Sequence, residues 1–223
     1  MNIVSLGKPF MQLTRAGKIY RWLILMAFAG ALPGCGCVLK EPLSDPVKAK
    51  TDERLLGAWK IDDPDKKEKD YCIVVIGKPD LRGVPEGMMK FVSLGSDNND
   101  KLKVDAFCFF TTSVGMENYA NILNHDFMDK DSPETWEKSR TKEWFLLKYS
   151  LENDRLSVWL VNREALEGAI IRNELKGTVE EKGALKMKSI TISDSKDFVR
   201  FLTNGGDKKI FTDKTKQVFS RIK

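Results

Sequence analysis

Apolar side chains recur at every second position over long stretches of this chain of 223 residues, and this alternation limits the fold more than any other pattern. The clearest example has Lys101, Lys103 and Asp105 on one face and, on the other, Leu102, Val104, Ala106, Cys108 and Phe110. A second alternation covers residues 145–151 and resumes over residues 156–160 after Asn153-Asp154. A period of two is typical of a strand with one buried face, and the short connection predicts an antiparallel hairpin.

Further apolar runs raise the expected number of short strands to about eight or nine, which is typical of a sandwich or a closed barrel. We therefore expect a mainly β fold, either an antiparallel barrel or a closely curved sandwich. It would carry two or three short helices and be preceded by a signal or anchor helix. The additional strands are expected at residues 71–76, 88–94, 175–181, 185–192 and 210–211, and the helices at 119–123, 163–173 and 194–202.

The first 34 residues have the layout of a secretory signal peptide. Four basic residues and no acidic residue precede an uncharged apolar run from Trp22 to Leu32. A proline, a glycine and Cys35 follow directly, so a cleavage region adjoins the apolar run. This layout predicts that the remainder of the chain lies outside the cytoplasm.

The segment from Leu32 to Cys35 resembles the lipobox of bacterial lipoproteins, in which an aliphatic residue lies three positions before a cysteine. In that family the cysteine is lipidated and becomes the mature N-terminus. The resemblance implies that the Cys35 thiol takes a diacylglycerol and that its freed amine takes a further acyl chain, such as palmitate. Two or more chains anchor a protein stably. The resemblance thus implies a protein of the bacterial cell envelope, anchored to a membrane by its lipid.

Composition divides the chain into a signal peptide (1–34), a lipidated N-terminus with a flexible tether (35–54) and a single β-rich globular domain (55–223). The tether is inferred from polar residues and two prolines without a sustained apolar period. The alternative to cleavage is an uncleaved anchor over residues 22–39, since about 18 uncharged residues lie at the short end of a membrane span. Translation from Met1 or from Met11 is compatible with either arrangement.

The net charge argues against nucleic-acid binding. The chain has 37 basic and 32 acidic residues, but four of the basic residues lie in the signal segment, which leaves 33 against 32. The expected strands carry no one-sided basic stripe with interleaved aromatic residues. We therefore expect a nearly neutral, monomeric domain with no nucleic-acid partner.

The cysteines and the single histidine narrow the chemistry further. Outside the cytoplasm Cys72 and Cys108 could form a disulfide, or each could be a small buried hydrophobe. His125 lies in a polar stretch and no CxxC pair is present, which argues against a zinc site. No GxSxG elbow accompanies the histidine, which argues against a nucleophilic triad. We expect no metal, no cofactor and no catalytic residue.

One motif favours a barrel over a sandwich. Gly57-x-Trp59, at the start of the first expected strand, resembles the opening Gly-x-Trp motif of lipocalin-like barrels. In that family the tryptophan plugs the closed end of the barrel, and the glycine lets the chain turn tightly into the first strand. The resemblance implies an arginine partner for Trp59, and either Arg200 or Arg221 could take that role.

Three functions are compatible with this organisation. A noncatalytic lipid-anchored protein could bind a small apolar ligand, since barrels of about eight strands can hold one, although the same side chains could fill a solid core. An adaptor or structural lipoprotein could bind another envelope protein through exposed aromatic side chains, for which Trp136, Trp144 and Trp159 are candidates. An envelope hydrolase would need two carboxylates across a cleft, and the spacing of the acidic residues in 152–174 selects no pair. The first function is the one we favour.

We expect Cys35→Ala to leave the precursor unlipidated, because the thiol that accepts the diacylglycerol is lost. Intact-mass measurement of the protein tests this. Cys37→Ala is the control, since a glycine rather than an aliphatic residue lies three positions before Cys37. A Cys35→Ala protein that still matures to the lipid-modified mass would contradict the lipobox interpretation.

Overall fold

The computed structural model describes residues 37–62, 72–96, 102–124, 136, 143–182 and 187–223. The helices in these residues are α1 (Arg163–Ile171), α2 (Ser195–Phe201) and α3 (Asp207–Ile210). A π-helical segment (Leu202–Gly206) joins α2 to α3, and short 3-10 turns lie at Pro46–Lys48, Glu53–Leu55 and Asp213–Thr215. The strands are β1 (Cys37–Leu39), β2 (Gly57–Ile61), β3 (Cys72–Gly77), β4 (Met89–Ser96), β5 (Leu102–Val114), β6 (Glu117–Leu123), β7 (Trp144–Glu152), β8 (Arg155–Leu160), β9 (Thr178–Lys182), β10 (Met187–Ile192) and β11 (Lys216–Arg221).

Eight of these strands close into an antiparallel barrel. From β2 to β8 each strand pairs with the next one along the chain, and β11 pairs with both β2 and β8. The predicted hairpin is β7–β8, which turns at Asn153 and Asp154 with φ values of 47° and 62°. A two-residue turn with both φ values positive matches the twist of the paired strands. The expected mainly β fold is confirmed, and it is a barrel.

β5 shows that alternation identifies a strand without identifying its inner face. Phe107 and Phe109 point into the barrel, whereas Cys108 and Phe110, on the face that looked more apolar in sequence, point outward. Asp105 shares the inner face, lies opposite Ser93 of β4 and is buried. The outer face is apolar because a second layer of the protein covers it.

That second layer consists of α1, α2, α3 and the strands β1, β9 and β10, which pack outside β5, β6 and β7. β1 pairs in parallel with β10 and meets β7 at Leu39 and Trp144. The expected helix at 163–173 is confirmed as α1, whose N-cap Asn162 accepts a hydrogen bond from the backbone N–H of Ala165 at 3.1 Å. The core between the layers includes Cys108, Phe110, Tyr119, Trp144, Leu166, Phe198 and Ile210.

A buried polar cluster fastens the helical layer to the barrel wall. The hydroxyl of Tyr119 and the ammonium of Lys148 each donate a hydrogen bond of 2.6 Å to the carboxylate of Asp207, at the start of α3. Lys148 also pairs with Glu117 at 2.9 Å. Burial, together with the Asp207 carboxylate, raises the pKa of Tyr119 well above its usual range, so its hydroxyl stays a donor. Each buried polar side chain of the cluster therefore has a hydrogen-bond partner.

The flexible tether predicted for residues 35–54 is wrong over residues 37–54. Leu39 and Leu43 are buried, and the backbone N–H of Leu43 donates to the side-chain oxygen of Asn121 at 2.8 Å. The backbone N–H of Lys40 donates to the carbonyl of Ile192 at 3.0 Å. The segment is mostly polar, and this composition led to the prediction of a tether. Its few apolar residues nevertheless pack against the barrel and hold the segment there. The folded unit therefore includes residues 37–54 and does not begin at residue 55.

Two smaller predictions are also wrong. Residues 119–123 belong to β6 rather than to a helix, and all five are buried, so their sequence shows no alternation. Residues 210–211 do not form the closing strand, because Ile210 ends α3 and β11 closes the barrel instead.

We expect Leu39→Ala to lower the free energy of unfolding by about 2–4 kcal/mol, because it leaves a cavity in the core between the layers. Val47→Ala, in the same segment, should change it by less than about 0.5 kcal/mol, since the Val47 side chain is 71% exposed. Chemical denaturation of the two variants measures both values. Equal, negligible effects would mean that the segment is a tether after all.

Candidate functional site

Trp59 of β2 points into the interior of the barrel. The 3-10 turn Glu53–Leu55 immediately precedes β2, and its N-cap Asp52 accepts a hydrogen bond from the backbone N–H of Arg54. The Trp59 ring is fully buried, and its Nε1–H donates to the carbonyl of Leu55 at 2.8 Å. The polar atom of the indole is thus satisfied within the turn, and its apolar surface faces the barrel interior.

The backbone conformation at the start of β2 requires glycine at position 57. Its φ is +128°, a backbone conformation that other residues rarely adopt. A Cβ at this position would lie 2.8 Å from the guanidinium nitrogen Nη1 of Arg221. Glycine therefore permits both the turn and the close approach of the arginine.

Arg221 is the arginine that pairs with Trp59. Its guanidinium lies over the indole ring, 4.2 Å from the ring centroid, in a cation–π contact. The same group donates to the carbonyls of Leu56, at 2.6 Å, and Arg54, and its Nε donates to Asp154 at 3.1 Å. Arg200, the other candidate, forms an ion pair with Asp197 on α2. The sequence could not separate the two arginines because the choice depends on which strand closes the barrel.

An apolar cavity of about 70 Å³ lies inside the barrel. Every strand of the barrel contributes to its wall, and Leu55 of the preceding turn completes it. No hydrogen-bonding group of the lining is directed into the space, so the cavity favours apolar atoms over water. The lining includes Trp59, Ile76, Phe91, Phe109, Ala120 and Phe219.

The aromatic ring of Tyr149 lines the cavity, and its hydroxyl forms a hydrogen bond with a residue outside the lining. The hydroxyl donates to the carboxylate of Asp52 at 3.0 Å. The hydrogen bonds from Arg54 hold the pKa of Asp52 below its usual value, and the bond from Tyr149 acts in the same direction. Burial and the Asp52 carboxylate raise the pKa of Tyr149. The pair therefore remains a neutral donor and a charged acceptor at physiological pH, and sequence reasoning did not identify it.

Cys72 and Cys108 are not joined to each other. Cys72 lies on the face of β3 that also carries Val74 and Ile76, which line the cavity, whereas Cys108 points outward from β5. The two side chains are on opposite faces of the wall with β4 between their strands, so the disulfide considered from sequence is wrong in this structure. Burial raises the pKa of the Cys108 thiol to about 12. Cys35 lies outside the described residues.

Two of the three tryptophans considered for an exposed aromatic face are buried. Trp144 packs edge-on against Phe110 and Trp136 in the core between the layers. Trp159 is only partly buried, and the ammonium groups of Lys216 and Lys148 lie 4.9 and 5.8 Å from its ring centroid. The burial of Trp136 and Trp144 contradicts the aromatic face on which the adaptor function depended.

Three of the five acidic residues considered for a hydrolase form ion pairs with basic residues. Asp154 pairs with Arg221, and Glu167 pairs with Lys188 at 2.6 Å. Glu174 pairs with both Arg172 and Lys209. These three carboxylates are therefore each neutralised by a neighbouring basic residue.

Comparisons of the chain with protein-family models, with curated proteins and with solved structures gave no match. In the part of the chain that the structure describes, no helix combines the length and the apolar character needed to cross a bilayer. The same residues contain no group of three or more side chains placed to hold a metal ion.

We expect Arg221→Ala to lower the free energy of unfolding by about 2–3 kcal/mol, because it removes a cation–π contact and several charge-assisted hydrogen bonds. Arg200→Ala is the matched control and should cost less than about 1 kcal/mol, since it removes one ion pair from an exposed arginine. Denaturant titration distinguishes the two. A larger loss for Arg200→Ala would contradict the assignment of Arg221 as the partner of Trp59.

Proposed function

We propose that this chain is a noncatalytic, lipid-anchored protein of the bacterial cell envelope whose barrel binds a small apolar ligand. The observation that carries the proposal is the cavity inside the barrel, to which all eight strands contribute apolar side chains. Sites for small molecules are concave and mostly apolar, as this one is. The resemblance to lipocalin-like barrels implies that the Trp59 end is closed, and we propose that a ligand enters from the opposite end.

The volume of the cavity limits the ligand. A dry cavity of about 150 Å³ lined by aliphatic and aromatic side chains binds benzene or xenon. The cavity here is about 70 Å³, roughly half that volume. We therefore propose a slender apolar group, such as the end of one acyl chain, and expect bulky ring systems to be excluded.

Two further observations support the proposal. The lipobox-like sequence that ends at Cys35 supports anchoring by lipid. The contact of Arg221 with Trp59, the positive φ of Gly57 and the closure of eight strands support the resemblance to lipocalin-like barrels. That resemblance implies a binding protein rather than an enzyme.

We expect Ala120→Leu to weaken the binding of cis-parinaric acid, a slender fluorescent fatty acid, because the larger side chain occupies the cavity. Ala120 lies on the cavity wall. Titration of the full chain, followed by the fluorescence of the bound polyene, should show a loss of at least about ten-fold, or ~1.4 kcal/mol.

Ala58→Leu is the matched control for this experiment. Ala58 lies on the outer face of β2, opposite Val75 of β3, and makes no part of the cavity lining. It should bind cis-parinaric acid as the parent protein does. Equal affinity in all three proteins, or no binding by the parent protein, would contradict the proposal.

A further inference from the structure

The folded domain begins almost directly after the cysteine that the proposed function assigns to the lipid. Gly36 is the only residue between Cys35 and β1. In β1, Val38 and Leu39 are buried, and the strand pairs with β10 over three residues. The start of β1 is therefore held by the core and cannot act as a spacer.

Covalent geometry then limits the distance between the lipid and the domain. Two residues of fully extended chain span at most about 7 Å. The headgroup layer on one side of a bilayer is about 5–7 Å thick. A lipidated Cys35 would thus place Cys37 at the outer boundary of the headgroups, with no length of chain left over for the domain to move away.

We propose that the face around Cys37, Arg163 and Lys188 is held directly against the headgroups of the membrane that carries the anchor. This inference rests on the proposed lipidation of Cys35. We name these three residues and their immediate neighbours the anchor face.

The chemistry of the anchor face suits a polar bilayer surface. Arg163, at the start of α1, donates from its guanidinium to the carbonyl of Lys188. Burial raises the pKa of the Cys37 thiol to about 12, and the charge of Arg163 acts in the opposite direction. Lys188 is exposed on β10, pairs with Glu167 and lies opposite Glu181 of β9. Charges of both signs are therefore available, as contact with phosphate and ammonium groups requires.

The barrel topology places one strand on the side of the ring opposite the attachment of β1. β1 is attached to the barrel through β7. In the ring of eight strands β3 is four strands from β7 in either direction, and Val75 on its outer face is exposed. The proposed order from the bilayer outward is the anchor face, the helical layer, β7 and finally β3.

Quenching by nitroxide-labelled headgroups measures this orientation in the full chain reconstituted in phosphatidylcholine vesicles. One variant is Glu164→Cys, on the exposed first turn of α1, and the other is Val75→Cys across the barrel. Each is labelled with a fluorophore, and the parent protein treated in the same way gives the background of its native thiols. We expect quenching at position 164 to exceed that at position 75 by at least about two-fold, because the headgroup layer is only ~5–7 Å thick.

A spacer variant provides the control for orientation. About ten Gly/Ser residues inserted between Gly36 and Cys37 would span ~17 Å on average. This insertion should abolish the difference between the two positions while leaving the lipid attached.

Two negative results are distinguishable. Equal quenching at both positions in a protein whose mass includes the lipid would overturn the orientation and leave the proposed anchoring intact. A mass without lipid, together with failure to float with the vesicles, would overturn the proposed anchoring and this inference with it.

Discussion

The contact between Arg221 and Trp59 lies at the seam where β11 and β2 close the barrel. The seam between β2 and β11 joins only three residue pairs, against six between β7 and β8. Two flanking backbone hydrogen bonds extend this short ladder, from Asp62 N–H to the carbonyl of Val218 and from Ile222 N–H to the carbonyl of Ala58, both at 2.8 Å. Side chains at the seam add further contacts. Arg221 does so by covering the indole ring and by bonding the carbonyls of Arg54 and Leu56. The same contact requires glycine at position 57, and the bonds to Arg54 and Leu56 hold the turn that precedes β2.

The second constraint is a barrel wall that is apolar on both faces. Inside, the side chains leave a small dry cavity; outside, the wall of β5, β6 and β7 is covered by helices and by β1, β9 and β10. The outer layer is held by packing and by the buried cluster of Tyr119, Lys148 and Asp207. Because this layer removes Trp136 and Trp144 from the surface, the cavity is the feature of the described protein best suited to binding.

Much of the fold could be predicted from the sequence because period two is local. The hairpin around Asn153-Asp154 and the helix capped by Asn162 follow from neighbouring residues alone. Contacts distant in sequence could not be derived in this way. The partner of Trp59 is 162 positions away from it, as Arg221 shows, and neither this arginine nor the pairing of Tyr149 with Asp52 leaves a local pattern. The tether was wrongly predicted over residues 37–54 for a related reason. Burial of Leu39 depends on pairing with β10, which is distant in sequence, and not on the polar residues next to Leu39.

The measurement that tests the central claim most directly is native mass spectrometry of the full chain, purified gently from its natural compartment. A ligand in the barrel predicts a noncovalent mass of lipid size that is retained in addition to the covalent anchor and lost on unfolding. A protein carrying only its covalent mass, with the same mass before and after unfolding, would contradict the claim that the barrel holds an apolar ligand.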